Sequence, residues 1–127
     1  MTTVMTNTEY DRIIATTRLY IDGFNERDVE KFKSAFHEDA WMFYIDPDGK
    51  LHNVSLEEKI FRSWATNNDK GNHVELRILS VTQMGDVANV ILAFGHDYLD
   101  SHNMVRVNGE WKITNKTACH RSRTELG

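Results

Sequence analysis

The sequence predicts an α+β fold in which three helices pack on a curved, mostly antiparallel sheet. Three observations predict it. Apolar residues recur at helical spacing through the first 36 positions. Four strand-like runs follow one another after position 72, and Gly85-Asp86 and Asn108-Gly109 separate two of the pairs as two-residue hairpin turns. The chain has 127 residues, 40% of them hydrophobic, which suits one domain with a core of its own.

Residues 6–26 read as the first helix. Thr6-Asn7-Thr8-Glu9 matches a capping box, and Tyr10, Ile13, Ile14, Tyr20, Ile21 and Phe24 form the apolar face. Asp28 caps a second, short helix whose Val29, Phe32 and Phe36 share a side. Residues 40–46 are an aromatic-rich strand. Asp46-Pro47-Asp48-Gly49 turns the chain, because Pro presets φ and Gly supplies positive φ, and residues 50–54 return. Ser55-Leu56-Glu57-Glu58 opens a third helix with Ile60, Phe61, Trp64 and Ala65 on its apolar face, and residues 66–72 form a loop. The strands that follow span 73–83, 87–94, 98–107 and 110–118. The domain covers 1–127, with 1–7 and 119–127 as flexible tails.

Composition excludes several classes. No apolar run approaches the ~20 residues of a spanning helix. The first residues have neither a basic start nor a long apolar stretch, so no secretion signal is read and a cytoplasmic protein is expected. The 15 Lys and Arg against 19 Asp and Glu give a net charge of −4, which argues against nucleic-acid binding. Cys119 is the one cysteine, so no internal disulfide forms. The six histidines fall in no zinc pattern, and no phosphate-cradling glycine loop is present. No metal and no organic cofactor are expected.

Three stretches carry a family resemblance. Tyr20-Ile21-Asp22-Gly23-Phe24 leads to Phe36-His37-Glu38-Asp39-Ala40. Asp100 to Val107 is the second. Gly109-Glu110-Trp111-Lys112-Ile113-Thr114-Asn115-Lys116 closes the set. In this order they resemble the nuclear transport factor 2-like superfamily, and within it the SnoaL-like family described as putative lumazine-binding. The resemblance covers most of residues 8–118. It implies a cone-shaped, cystatin-like fold and a homodimer. It implies no single function, because the fold serves dehydratases, isomerases, polyketide cyclases, epoxide hydrolases and binding proteins alike.

A sheet curled around helices leaves a cavity at its mouth, the default ligand site. The Asn108-Gly109 turn predicts which residues face it. A two-residue hairpin pairs Val107 with Glu110, hence Arg106 with Trp111, Met104 with Ile113, His102 with Asn115 and Asp100 with Thr117. That face begins apolar at Trp111, Ile113 and Met104 and turns polar at Asp100, His102, Asn115 and Thr117. Asp100 and His102 lie ~7 Å apart at Cα, close enough for the carboxylate to tune the imidazole or hold its tautomer.

Two readings of this pair stand open: acid and base for a bound substrate, or groups that satisfy each other at an open rim. A one-residue slip would turn the whole face outward. Tyr20, Phe24, Trp41, Phe43, Phe61 and Trp64 complete the expected lining, and Tyr44 with Asp46 forms a second polar pair near the mouth. The function read from this is a small-molecule-binding protein with an apolar cone pocket, acting as a cofactor-independent lyase or isomerase by proton transfer. The alternatives are a non-catalytic binder of an aromatic or polycyclic metabolite, or an accessory dimer that docks a protein. The expected partners are an aromatic or polycyclic ligand and a second copy bound through the outer sheet face, with no nucleic acid and no membrane.

Overall fold

The computed structural model of the protein describes residues 7–56 and 74–126. Two helices open the chain, α1 (Asn7–Glu26) and α2 (Val29–Ser34). The strands β1 (Phe36–Ile45), β2 (Leu51–Ser55), β3 (Leu76–Met84), β4 (Val87–Phe94), β5 (Tyr98–Val107) and β6 (Glu110–His120) form one sheet in the order β2-β1-β6-β5-β4-β3. Every neighbouring pair is antiparallel except β1 with β6. The predicted third helix, with Ile60, Phe61, Trp64 and Ala65, lies outside the described residues.

Helix α1 buries Ile13, Thr16, Thr17, Tyr20 and Ile21, one face at i, i+3, i+4, i+7, i+8 spacing. Tyr10, placed on that face by pattern, is largely exposed. The helix ends with Arg27 in the left-handed region, where the Asp28 N–H reaches Gly23 O and the Arg27 N–H reaches Phe24 O. Gly23 is required by close approach: a Cβ there would lie 2.5 Å from the Phe32 nitrogen. Asp28 then caps α2 through its side chain, accepting from the Lys31 N–H at 3.0 Å.

Strand β1 begins four residues earlier than the aromatic run alone suggested. Asn108 and Gly109 both take positive φ, as a type I′ turn needs, and Gly85 supplies it for the β3–β4 turn. Strand β6 continues through Cys119 and His120, and residues Arg121–Leu126 form a 3₁₀ helix rather than a free tail.

The register of the last hairpin differs from the counted one in a way that matters. Arg106↔Trp111, Val105↔Lys112 and Met104↔Ile113 pair as expected, but Thr114 is then an extra residue on β6. Beyond this bulge Asn103 faces Asn115, His102 faces Lys116 and Asp100 faces Ala118.

The core lies between α1, α2 and the concave side of the sheet. Ile13, Tyr20, Phe32, Phe36, Met42, Val90, Leu92, Met104, Trp111 and Ile113 meet there. Thr16 Oγ1 donates to Trp111 O at 3.0 Å and pins α1 to β6. Asn25 clamps the chain before β3, donating to Val74 O at 2.9 Å and accepting from the Val74 N–H at 2.8 Å. Among the described residues no helix is long and apolar enough to cross a membrane.

Candidate functional site

The bulge at Thr114 decides what the concave face presents. A strand alternates sides with period two, so one inserted residue exchanges inner and outer positions beyond it. Lys116 and Ala118 therefore turn inward beside Asp100 and His102. Asn115 and Thr117, expected on the pocket face, lie on the other face. There Thr117 Oγ1 donates to Asn115 Oδ1 at 3.1 Å and Asn115 Nδ2 reaches Trp41 O at 3.4 Å.

A cavity of about 290 Å³ opens on the concave side. That is the volume of about ten water molecules. Phe24, Tyr44, Phe94 and Tyr98 give it aromatic walls, with Met42, Val54 and Ala118 between them, and Phe43 adds to the lining from its place between Met42 and Tyr44 on β1. Among the described residues its charged lining groups are Asp100 and Lys116. Phe24 and Phe94 meet edge to face, with centroids 4.9 Å apart.

Asp100 is 2% exposed, His102 0% and Lys116 4%. Three contacts converge on Asp100 Oδ2. The Tyr20 hydroxyl donates to it at 3.0 Å, His102 Nε2 lies at 3.2 Å, and the Lys116 ammonium lies at 3.8 Å. Burial is costly for a carboxylate unless donors or a countercharge surround it, and here a phenol and an imidazole at hydrogen-bond distance and a cation at ion-pair distance do so. The Tyr20 ring meets the His102 ring edge-on at 4.7 Å, which fixes both. Burial first, then the charge and hydrogen bond of Asp100, push the Tyr20 hydroxyl well above its ordinary pKa, so it stays protonated and donates. The Lys116 nitrogen also lies 5.5 Å from the Tyr20 ring centre and 5.8 Å from that of Phe94.

The residues singled out from the sequence divide into groups. Phe24, Phe43 and Asp100 line the cavity. Tyr20 and His102 stand behind Asp100, fully buried, and hold it rather than face the ligand space. Met104, Trp111 and Ile113 fill the narrow end of the cone as core. Glu9 closes that end, accepting from Trp111 Nε1 at 2.7 Å and pairing with Arg106 at 2.9 Å. Trp41 is 52% exposed on the outer side and borders a separate surface depression. Phe61 and Trp64 lie outside the described residues.

Lys116 is the charged cavity-lining side chain that counting from the turn missed. No signal in the sequence marks it, because the regular hairpin register places Lys116 on the outer face and only the bulge turns it inward.

At the mouth, Tyr44 stacks on His52, rings 4.4 Å apart and nearly parallel. His52 Nε2 lies 2.8 Å from Asp46 Oδ2. This contact, followed by the Lys50 and Asp48 amides, holds the Asp46 carboxyl below its usual range. Away from the cavity, His37, Glu38 and Asp39 bring three potential metal-ligand atoms within 4.8 Å of one another. They are consecutive and at the surface, as solvated acidic groups commonly are.

Known proteins resemble the chain in sequence or in fold. An Aldolase FrzH from Cladobotryum sp is 25% identical over 118 residues, which cover 88% of this chain and 91% of that protein. An NTF2-like protein from Shewanella baltica OS155 superposes with a TM-score of 0.81 at 20% identity, covering 93% of this chain and 98% of its own. A ketosteroid isomerase-like protein from Erwinia carotovora atroseptica SCRI1043 gives 0.68 at 16% identity, covering 92% and 99%. The family model described as "Putative lumazine-binding" matches residues 8–117. With most of its length inside that match, the chain belongs to the putative lumazine-binding family, and it shares the fold of the NTF2-like structures.

Proposed function

We propose that the protein binds a flat, mostly apolar small molecule in the cone and moves a proton on it, as a cofactor-independent lyase or isomerase. One observation carries this reading: the Asp100 carboxylate is buried on the wall of an aromatic-lined cavity. A carboxylate kept away from water and aimed at an apolar ligand is a general base. His102 touches the carboxylate but not the cavity, so it is a positioning residue. It shares with Tyr20 the task of fixing the Oδ2 atom. The aldolase name of the Cladobotryum relative supports the same chemistry. Aldol formation and cleavage are lyase reactions that pass through loss of a proton, or its equivalent, beside a carbonyl.

The test is hydrogen–deuterium exchange at the carbon beside the carbonyl of flat ketones such as 2-tetralone, followed by NMR in D₂O. The wild type should accelerate exchange over buffer, and Asp100→Asn should lose at least ~10²-fold of that acceleration. Acceleration that survives in Asp100→Asn overturns the assignment of the base. Binding of the ketones without any acceleration overturns the catalytic reading in favour of a binding protein.

The outer sheet face supports a homodimer. Val87, Ile91, Leu99 and Val105 alternate there with Thr82, Asn89, Ser101 and Asn103, and the charges on the same side include Lys112, opposite Val105, and Arg77, opposite Ala93. Asn89 Nδ2 already reaches Ser101 Oγ and Asn103 Oδ1 at 3.0 Å each, so the polar members are partly satisfied within the sheet. A second copy covers such a face best. Sedimentation at micromolar concentration should give twice the chain mass, and a monomer would exclude it.

A further inference from the structure

We propose that Lys116 is the oxygen-binding group of the cavity: it receives the carbonyl oxygen of the ligand and holds the negative charge that forms there once Asp100 takes the proton. This deepens the reading of Asp100 as the base and rests on it. It narrows the ligand to an enolisable carbonyl compound with a planar apolar body.

The argument starts from an unmet requirement. An ammonium has three N–H donors, and burying it without hydrogen bonds is unfavourable. Lys116 is 4% exposed, lines the cavity, and among the described residues its nitrogen makes no hydrogen bond. Its carboxylate neighbour, Asp100 Oδ2, is 3.8 Å away, an ion pair but beyond hydrogen-bond reach. The Tyr20 and Phe94 rings hold the cation in place by their faces, which satisfy charge but not donor geometry. The donors are therefore available to an acceptor that enters with the ligand.

Placement matches the chemistry. Asp100 and Lys116 sit on adjacent strands, two residues out of register, since Lys116 faces His102, and on the same inner face. A carbonyl group and the carbon beside it are separated by one bond, so a base and an oxygen-binding cation must be neighbours that do not fully neutralise each other. In the step, the Asp100 carboxylate takes the proton from the carbon beside the carbonyl. The C–H electron pair becomes the new C=C bond, and the carbonyl π pair moves to oxygen. The negative charge leaves Asp100 and appears on the ligand oxygen, so the charge of the cavity is conserved. Lys116 exchanges one anionic partner for another without leaving its place, the preorganised arrangement that favours the charged intermediate. The enolate then takes a proton at another carbon, expels a leaving group, or adds to a second carbonyl, which yields isomerase, lyase or aldol outcomes from one site.

The experiment measures binding, so its outcome is separate from that of the exchange assay. 2-Naphthoate and 2-naphthamide have nearly the same shape, and only the first carries a negative charge. Their affinities are measured by calorimetry for the wild type, Lys116→Met and Asp100→Asn. Lys116→Met should lower the ratio of naphthoate to naphthamide affinity at least tenfold. Asp100→Asn, which imitates the protonated base, should raise that ratio. A ratio unchanged within twofold in Lys116→Met overturns the proposal, as does failure of the wild type to bind either probe at millimolar concentration. Should Lys116→Met not fold, Lys116→Gln gives the same comparison, because it too removes the charge. If the naphthoate preference tracks Lys116 while no ketone exchanges, the oxygen-binding role of Lys116 stands and the catalytic reading fails.

Discussion

Replacing Tyr20 by Phe isolates the bond that holds the base. The hydroxyl is buried and donates to Asp100 Oδ2 at 3.0 Å. Its loss removes a hydrogen bond to an ionised acceptor, about 2 kcal/mol of folding stability at pH 7. The ring itself stays packed against Phe32, Phe36, Phe94 and His102, so little else should change.

The pH dependence gives a sharper signature. The folded-state pKa of Tyr20 is raised well above its ordinary value. The stability it contributes is therefore complete below the ordinary tyrosine pKa near 10. It declines as pH rises beyond that value, because only the unfolded chain then releases the proton. The slope is about 1.4 kcal/mol per pH unit for one group. The wild type should thus lead Tyr20→Phe by about 2 kcal/mol up to pH 9.5 and lose that lead by about pH 11.5. Urea unfolding followed by tryptophan fluorescence at several pH values measures this difference, and all groups common to both proteins cancel. A difference that stays flat between pH 9 and 11.5 would refute the reasoning, as would a variant as stable as the wild type at pH 7.

Three further perturbations test the framework. Gly23→Ala places a Cβ 2.5 Å from the Phe32 nitrogen and 2.7 Å from its Cα, so α2 must move off α1; a loss of about 3 kcal/mol in thermal unfolding is expected, and an unchanged melting temperature would contradict the packing. Asn25→Ala removes both hydrogen bonds to Val74. It should cost about 1–3 kcal/mol and speed amide exchange at Val74 more than at the central strands. Asp46→Asn loses a carboxylate whose pKa is lowered by His52 and the turn amides. Its wild-type advantage should be present above the usual carboxylate range and fade as acid protonates Asp46, so acid titration of the two proteins should converge at low pH.

Much of this architecture could be read from residue patterns. The helix face from Ile13 to Ile21, the Asp28 cap and the Asn108-Gly109 turn are local physics, and each took the predicted form. Asp100 and His102 were rightly placed on the concave side, because they lie on the strand that carries no bulge in that hairpin. What could not be read was the Thr114 bulge. Nothing in Ile113-Thr114-Asn115 distinguishes an inserted residue from a regular one, since the cause is the joining of β6 to β1 on its other edge. There Phe36 pairs with Ile113 but Trp41 with Asn115, and β1 itself is irregular between them. Lys116 became visible only through that tertiary constraint. Trp41 failed for a related reason. Alternation puts either Trp41 and Phe43 or Met42 and Tyr44 inward, and the parallel pairing of Met42 with Lys116 made the choice.

The parallel pairing of β1 with β6 also orders events in time. Strand β6 is the seam between the first hairpin and the β3–β5 meander, yet it follows all the other described strands in chain order. Until it emerges, β1 and β5 each present an unpaired edge, and their union joins segments more than 70 residues apart, Phe36 with Ile113 and Ile45 with Cys119. Such distant closure is slow to form. It also means that the cation of the cavity arrives with the strand that completes the sheet. A ribosome-bound chain still lacking residues 110–120 holds Asp100 but no Lys116, so under the proposed function ligand binding would begin only once the sheet has closed.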